Sequence, residues 1–344
     1  MLPPRVAGRL AVLFAAFATS STALAAEPAA GVRKVTVEIV EFGGWKHNVK
    51  ISNGEVELIA TLDVGPRIIS YKTVGGVNVL KEFPDQFGKS GEPGFMIRGG
   101  HRLWVSPEDP IRTYAPDNMP VAHKLLDDGT VVFTDEPNAK FGLRKEMSIK
   151  MTERGTEVRI IHRVENVGKV ATELAPWALT VMKPGGVEII PLPVKKPHGG
   201  AAKEKTAADF GPSQSLVLWP YTDLADSRFT FGSEYILVRH DSKKNSTKIG
   251  LNHAPGWVSY LNEHTLFTKK FAYEPEANYS DRGCNFETYT DSGIVEIETL
   301  GPLVTLKPGE DAKHAETWSL SQVKGDFNDL GDVKSLILPL VNPR

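Results

Sequence analysis

Along most of the chain, apolar and polar positions alternate with a period of two. In "EVELIATLDV", Val56, Leu58, Ala60, Leu62 and Val64 fall on one side. In "LRKEMSIKM", Leu143, Met147, Ile149 and Met151 alternate with Arg144, Glu146, Ser148 and Lys150. In "EVRIIHRVENVG", Val158, Ile160, His162 and Val164 share a side. Such alternation marks half-buried strands, typical of antiparallel sheets. Turn signals divide the runs: "SNGE", "VGGVN", "DDGT", "ERGT", "DSG" and "KPGE". Asn53-Gly54 and Asp128-Gly129 are the strongest hairpin candidates. No long segment has helical periodicity with caps, and only "YTDLADSRF" (221–229) suggests one short turn or helix. The spacing of turn signals predicts about twenty strands. An all-β, two-sheet antiparallel sandwich with few short helices follows, as one domain over residues 31–344. The Lys-, Ala-, Gly- and Pro-rich stretch 193–215 reads as a long loop within that domain, since β-patterns flank it on both sides.

The start of the chain breaks the pattern. Arg5 and Arg9 precede the apolar "LAVLFAAFATSSTALAA", and Ala23-Leu24-Ala25 fits a small-residue cleavage site. Residues 1–26 are therefore expected to be a secretory signal peptide, and the mature protein to be periplasmic or secreted. No later segment is apolar enough to span a membrane as a helix. A single cysteine, Cys284, allows no internal disulfide, so stability must come from the core. The net charge of −2, with both signs interspersed, argues against nucleic acid as a partner.

The densest chemistry lies in "MIRGGHRLWVSPED" (96–109). Two glycines suggest an unusual backbone path or a close approach. Arg98 and Arg102 offer forked donors to hydroxyls or carboxylates. Trp104 can stack on a sugar face or fill the core. His101 is a candidate proton carrier or ligand contact; a structural histidine bonded to its own loop is the competing reading. In "CNFETYT", Asn285, Glu287 and Tyr289 share a strand face. His162 lies on an otherwise apolar face and reads as a core histidine. Residues 253–290 hold His253, Glu263, His264, Lys269, Lys270, Tyr279, Asp281 and Arg282. One of Lys269 and Lys270 should point to a groove and the other away. His253, Glu263 and His264 match no metal-ligand spacing, so no metal is expected. Nucleotide, dinucleotide and nucleophile-elbow signatures are missing, so no cofactor is expected.

Four segments together carry a resemblance: "IATLDVGPRIISYKTVGGVNVLKEF" (59–83), "MIRGGHRLWVSP", "VENVGKVATELAPWALTVMKPGG" (164–186) and "CNFETYTDSGIVEIETLGPLVTLKPGEDAKHAETWSL" (284–320). In order and spacing they resemble the galactose mutarotase-like (aldose 1-epimerase) superfamily, closest to its secreted members of unassigned function. The resemblance implies a β-supersandwich with sugar in a groove on a concave sheet face. It implies Glu287 as base, His101 as acid or sugar contact, and Asp281 on sugar hydroxyls. Arg98, Arg102, Trp104, Tyr279 and Lys270 complete the expected binding set, for a mono- or oligosaccharide that the arginines hint is acidic. The family's second histidine would lie in "APWALTVM" (175–182), where this chain has none. Sugar binding, with or without aldose epimerase-like chemistry, is the resulting expectation. A lyase or hydrolase using Glu287 with Asp281 is the third possibility.

Overall fold

The computed structural model describes Met1 and residues 34–199 and 203–342; apart from Met1, the expected signal peptide lies outside them. Twenty-one strands among the described residues form two antiparallel sheets. Along the larger sheet run Thr36–Phe42, Trp45–Ser52, Val56–Thr61, Arg67–Thr73, His101–Ser106, Thr172–Met182, Val295–Leu300, Phe286–Thr290, Thr247–Leu251 and Leu216–Leu218, with Val304–Leu306 beside Thr172–Met182. Along the second run Phe229–Phe231, Tyr235–Arg239, Val187–Pro191, Trp257–Asn262, Thr265–Phe271, Asp311–Gln322, Val158–Asn166, Leu143–Met151, Val131–Thr134 and Ala122–Leu125. The hairpin at Asn53-Gly54 joins paired strands, and the Asn53 amide crosses to the Thr152 and Gly155 carbonyls, 2.9 Å each. Asp128-Gly129 closes the second hairpin, with Gly129 at φ +83°.

The inward faces meet in one core containing Val56, Leu58, Ala60, Met147, Ile149, Val158 and Ile160. Burying each such side chain contributes roughly 1.5–3 kcal/mol. Val64 leaves this face. The Val56–Thr61 strand ends before it, and Val64 joins Trp45, Ile59 and Ile69 in a satellite cluster, whereas Leu62 still packs on the core. Of the turn or helix expected at 221–229, turns form within 221–228 and Phe229 begins a strand; Asp223 and Asp226 take the amides of Ala225 and Arg228. Such local bonds compete with helix. Among its described residues, loop 193–215 has one short turn of 3₁₀ helix, Ala207–Phe210. At the chain end, Val333, Ile337 and Val341 pack on Val187, Ile189, Leu237 and Leu261 of the second sheet. The larger sheet has an outward face of its own, and there the polar and aromatic side chains gather.

Candidate functional site

The glycine pair shapes the entry to the His101–Ser106 strand. Gly99 and Gly100 have φ of +71° and +65°. A Cβ on either would lie 2.0 Å from the Lys81 carbonyl oxygen or 2.1 Å from that of Ile68. The close approach is therefore to the protein's own backbone and not to a ligand. Arg67, the arginine of the "GPRI" turn, braces this corner. Its Nη1 donates to the carbonyls of Ile97 and Gly99, 2.8 Å each, and its Nη2 to Asp117 at 2.8 Å. Arg98 is also spent on the loop: it donates to the Lys89 carbonyl at 3.0 Å and pairs with Glu92.

The strand then presents alternate residues to opposite sides, and its two faces carry different chemistry. On the outward face, register aligns Trp104 with Trp177, and Arg102 with Leu179. Leu179 opposes Glu298, Glu298 opposes Glu287, and Glu287 opposes Gly250. Glu296 opposes Tyr289, which opposes Lys248. These residues bound a cleft of about 300 Å³ lined by Phe95, Arg102, Trp104, Glu108, Tyr114, Trp177, Tyr221, Lys248, Tyr289, Asp291, Glu296 and Glu298. Rings form its wall: Phe95–Trp104 at 5.2 Å, Trp104–Tyr114 at 5.0 Å and Trp104–Trp177 at 5.4 Å between centroids. The Arg102 guanidinium lies 4.3 Å over Trp104 and donates to Glu296 at 2.9 Å. Its Nε and Nη1 are buried without a protein acceptor.

Lys248 sits between two carboxylates, 2.6 Å from Glu287 Oε2 and 2.9 Å from Glu298 Oε2. Trp177 Nε1 donates to the same Glu298 oxygen at 3.0 Å. Burial works against the Lys248 ammonium, but Glu298 and Glu287 outweigh it and hold its pKa well above the ordinary lysine value. Burial pushes the Glu287 carboxyl well up, Lys248 only partly offsets this, and Glu298 and Asp281 add repulsion. Burial raises Glu298 as well, again opposed by Lys248. Two carboxyls around one ammonium are neutral as a set only when one keeps its proton, so burial favours a shared proton in the trio. Gly250 makes room beside them: a Cβ there would lie 2.6 Å from Cys284 Sγ.

On the inward face, His101 is fully buried between the sheets. His162 Nδ1 lies 3.1 Å from the His314 carbonyl, which can only accept, so that nitrogen carries the proton. In the neutral ring, Nε2 of His162 then accepts from His101 Nε2 at 2.7 Å, and Thr180 donates to His101 Nδ1 at 2.8 Å. His314 Nε2 donates to Thr299 Oγ1 at 2.7 Å, and that hydroxyl donates to Glu316. Lys269 and Trp318 supply Glu316 with donors at 2.9 Å each. Burial lowers the pKa of all three histidines, His314 to about 3. His101, His162 and Glu316 offer ligand atoms within 4.8 Å, the one set among the described residues with metal-ligand character. The 2.7 Å between the imidazole nitrogens is a hydrogen-bond separation, and Lys269 already faces the carboxylate. The cluster is a closed hydrogen-bond network.

Of the expected site residues, the structure brings Arg102 and Trp104 into the cleft and sets Glu287 directly behind it, under Lys248. His101 is excluded from it, being one residue out of phase with Arg102 on a strand of period two. Arg98 is excluded because its Nη groups are held by the Lys89 carbonyl and Glu92 and it does not line the cleft; its buried Nε has no partner. Asp281, at φ +51°, takes the Ser106 hydroxyl at 3.3 Å, outside the lining. Tyr279 stacks on Tyr273 and bonds the Glu274 amide. Lys270 belongs to the second sheet and donates outward to the Val341 carbonyl at 2.9 Å. Its neighbour Lys269 points into the core, so neither lysine reaches the groove. His253 is buried against the Pro191 carbonyl, whereas Glu263 and His264 are exposed. Cys284 is buried, and burial pushes its thiol pKa up. Glu296, Glu298, Lys248 and Trp177 were not among the expected residues. The alternation of "VEIETL" held a signal for two, since Glu296 and Glu298 must share a face.

No family model matches this chain, and no curated protein matches it in sequence. Solved structures match in fold. A TPR-domain containing protein from Parabacteroides distasonis aligns with a TM-score of 0.54 at 16% identity, covering 81% of this chain and 48% of the other. A galactose mutarotase-like protein from Lactobacillus casei aligns with a TM-score of 0.51 at 9% identity, covering 80% and 100%. The Slr1438 protein from Synechocystis aligns with a TM-score of 0.51 at 11% identity, covering 84% and 96%. This chain spans about half the length of the first. With the Lactobacillus casei protein the shared feature is the galactose mutarotase-like fold.

Proposed function

We propose that this protein binds carbohydrate in the cleft on the outward face of its larger sheet. One observation carries the reading: a wall of Trp104 and Trp177 meets, in a single cleft, the unpartnered donors of Arg102 and the carboxylates of Glu296 and Glu298. A sugar ring has apolar C–H faces and hydroxyls that both donate and accept. It would cover the indoles and supply Arg102 with an acceptor, which a buried donor otherwise lacks at a cost of roughly 1–3 kcal/mol. The volume is at the small end for ligand pockets and suits one or two sugar rings. The mutarotase-like fold supports the same ligand class, although fold alone does not assign function. The leader-like residues 1–26 support export, to the periplasm or beyond.

Aldose epimerase-like chemistry is a second reading, favoured by the Glu287–Lys248–Glu298 trio. Glu298 lines the cleft and could exchange a proton with a sugar hydroxyl; Glu287 would act behind it, through Lys248, and not on the sugar. This replaces the expected Glu287–His101 couple.

Titrating the protein with a panel of aldoses, read by tryptophan fluorescence, tests the first reading. Saturable change is expected with at least one sugar, and no response to any would sink it. Polarimetry on the same sugars tests the second: faster anomerisation by the native protein, lost in Glu298→Gln, is expected. Binding without acceleration would leave a binding protein only. Mass spectrometry of exported protein should give a chain starting near Ala26 or Glu27.

A further inference from the structure

We infer that the cleft selects a cationic sugar, one carrying an ammonium group, over neutral and acidic sugars. The inference rests on the carbohydrate reading above and sharpens it. Two cationic side chains line the cleft, Arg102 and Lys248, against four acidic ones, Glu108, Asp291, Glu296 and Glu298. Both cations are committed. Lys248 is held between Glu287 and Glu298 and stacks 4.9 Å from the Trp177 ring and 4.7 Å from that of Trp219. Arg102 is held by Glu296 and Trp104. A carboxylate or phosphate on the ligand would find neither cation free of a competing glutamate.

The two remaining acids have only neutral side-chain partners. Glu108 accepts from the Tyr114 hydroxyl at 2.5 Å, and Asp291 from the Tyr289 hydroxyl at 3.2 Å. A phenol donor orients a carboxylate without cancelling its charge. These acids stand beside exposed or half-exposed rings, Tyr114, Tyr221 and Tyr289. Aromatic faces add cation–π attraction to the carboxylate field. The second, independent sign of a ligand is Arg102, 2% exposed, whose buried Nε and Nη1 have no protein acceptor. Their partner has to be an acceptor that brings no negative charge beside Glu296, such as a hydroxyl or ring oxygen. An amino sugar meets both demands: oxygens for Arg102, and an ammonium for the carboxylate side.

The test is calorimetric titration of the full chain with D-glucosamine, D-glucose, N-acetyl-D-glucosamine and D-glucuronate at pH 6.5 and pH 9.5. A sugar amine titrates near the range of an α-amino group, about 8, so only the lower pH presents the cation. At pH 6.5, glucosamine should bind at least ~10-fold tighter than glucose or its N-acetyl form, about 1.4 kcal/mol. Glucuronate should bind weakest. At pH 9.5 the glucosamine advantage should vanish. The double variant Glu108→Gln/Asp291→Asn, altered only at rim positions, should narrow the gap between glucosamine and glucose. Equal binding of the two at pH 6.5, or tighter binding of glucuronate, overturns the charge selection and leaves the carbohydrate reading intact. Binding of none of the four overturns both.

Discussion

His101 and Arg102 are neighbours in sequence and lie on opposite sides of one sheet. The inward cluster around His101 and the outward cleft around Arg102 are both rich in polar and aromatic groups, and His101 and Arg102 themselves are both buried. They differ in completeness. Around His101 each imidazole proton meets an acceptor, and Glu316 has three donors. Around Arg102, two guanidinium nitrogens and a Glu287 oxygen, Oε1, have no protein partner, and the rings thin out towards solvent. A satisfied network specifies a core; an unsatisfied one beside an opening asks for a ligand. Residue type does not separate the two, since histidine and glutamate, the expected proton carriers, are the substance of the closed cluster.

The sharpest break of the comparison is Lys269→Met. It strands the Glu316 charge between the sheets and should cost about 3–5 kcal/mol of stability, read by denaturant unfolding. Sugar affinity of the folded fraction should not change. A near-neutral result would mean that the inward cluster is not a closed ionic network.

The pH dependence of stability comes next in size. The folded pKa values of His101, His162, His253 and His314 are depressed, His253 and His314 to about 3, while unfolded histidine titrates near about 6.5. Their contribution is complete above that pH and is lost as the pH falls towards 3. Burial raises Glu188 to about 8, the opposite sign: its contribution is complete below the ordinary glutamate range and is lost as the pH rises through 8. With four histidine contributions nearing completion and one glutamate contribution receding, the melting temperature should peak near roughly pH 7 and fall on both sides. Each unbalanced proton is worth about 1.4 kcal/mol per pH unit. Glu188→Gln, which keeps an acceptor for Thr288 at 2.6 Å, should flatten the alkaline arm. Stability that climbs steadily to pH 8 would contradict the assignment.

On the outward side, Arg102→Met should weaken sugar binding by ~10–100-fold, the worth of a charged hydrogen bond, measured by fluorescence titration. The smallest effect belongs to Lys270→Ala. The side chain sits on the far sheet, so affinity should not move and stability should change by less than about 0.5 kcal/mol.

Much of the fold was legible. Alternation in "LRKEMSIKM" and "EVRIIHRVENVG" named real strands and their buried faces, and the Asn-Gly and Asp-Gly turns fell where hairpins close. Val64 was misplaced because the strand ends at Thr61, and alternation does not carry past a strand end. The site was legible only in part. The face of Glu287 follows from period two, but which side of the sheet is covered by the second sheet does not. That one missing fact sends His101 inward and Arg102 outward. Lys248 and Trp177 were hidden for another reason: they meet Glu298 by pairings across the sheet, which no local window contains.

The central claim is that ligand meets the Arg102 side of the strand and leaves the His101 side untouched. A two-dimensional nitrogen–proton NMR titration reads both sides at once, with indole signals assigned by Trp104→Phe and Trp177→Phe and imidazole signals by His101→Gln and His162→Gln. With D-glucosamine at pH 6.5, the Trp104 and Trp177 indole signals should shift saturably while the His101 and His162 ring signals stay fixed. Saturable shifts of the two histidines with the indoles unmoved would contradict the account.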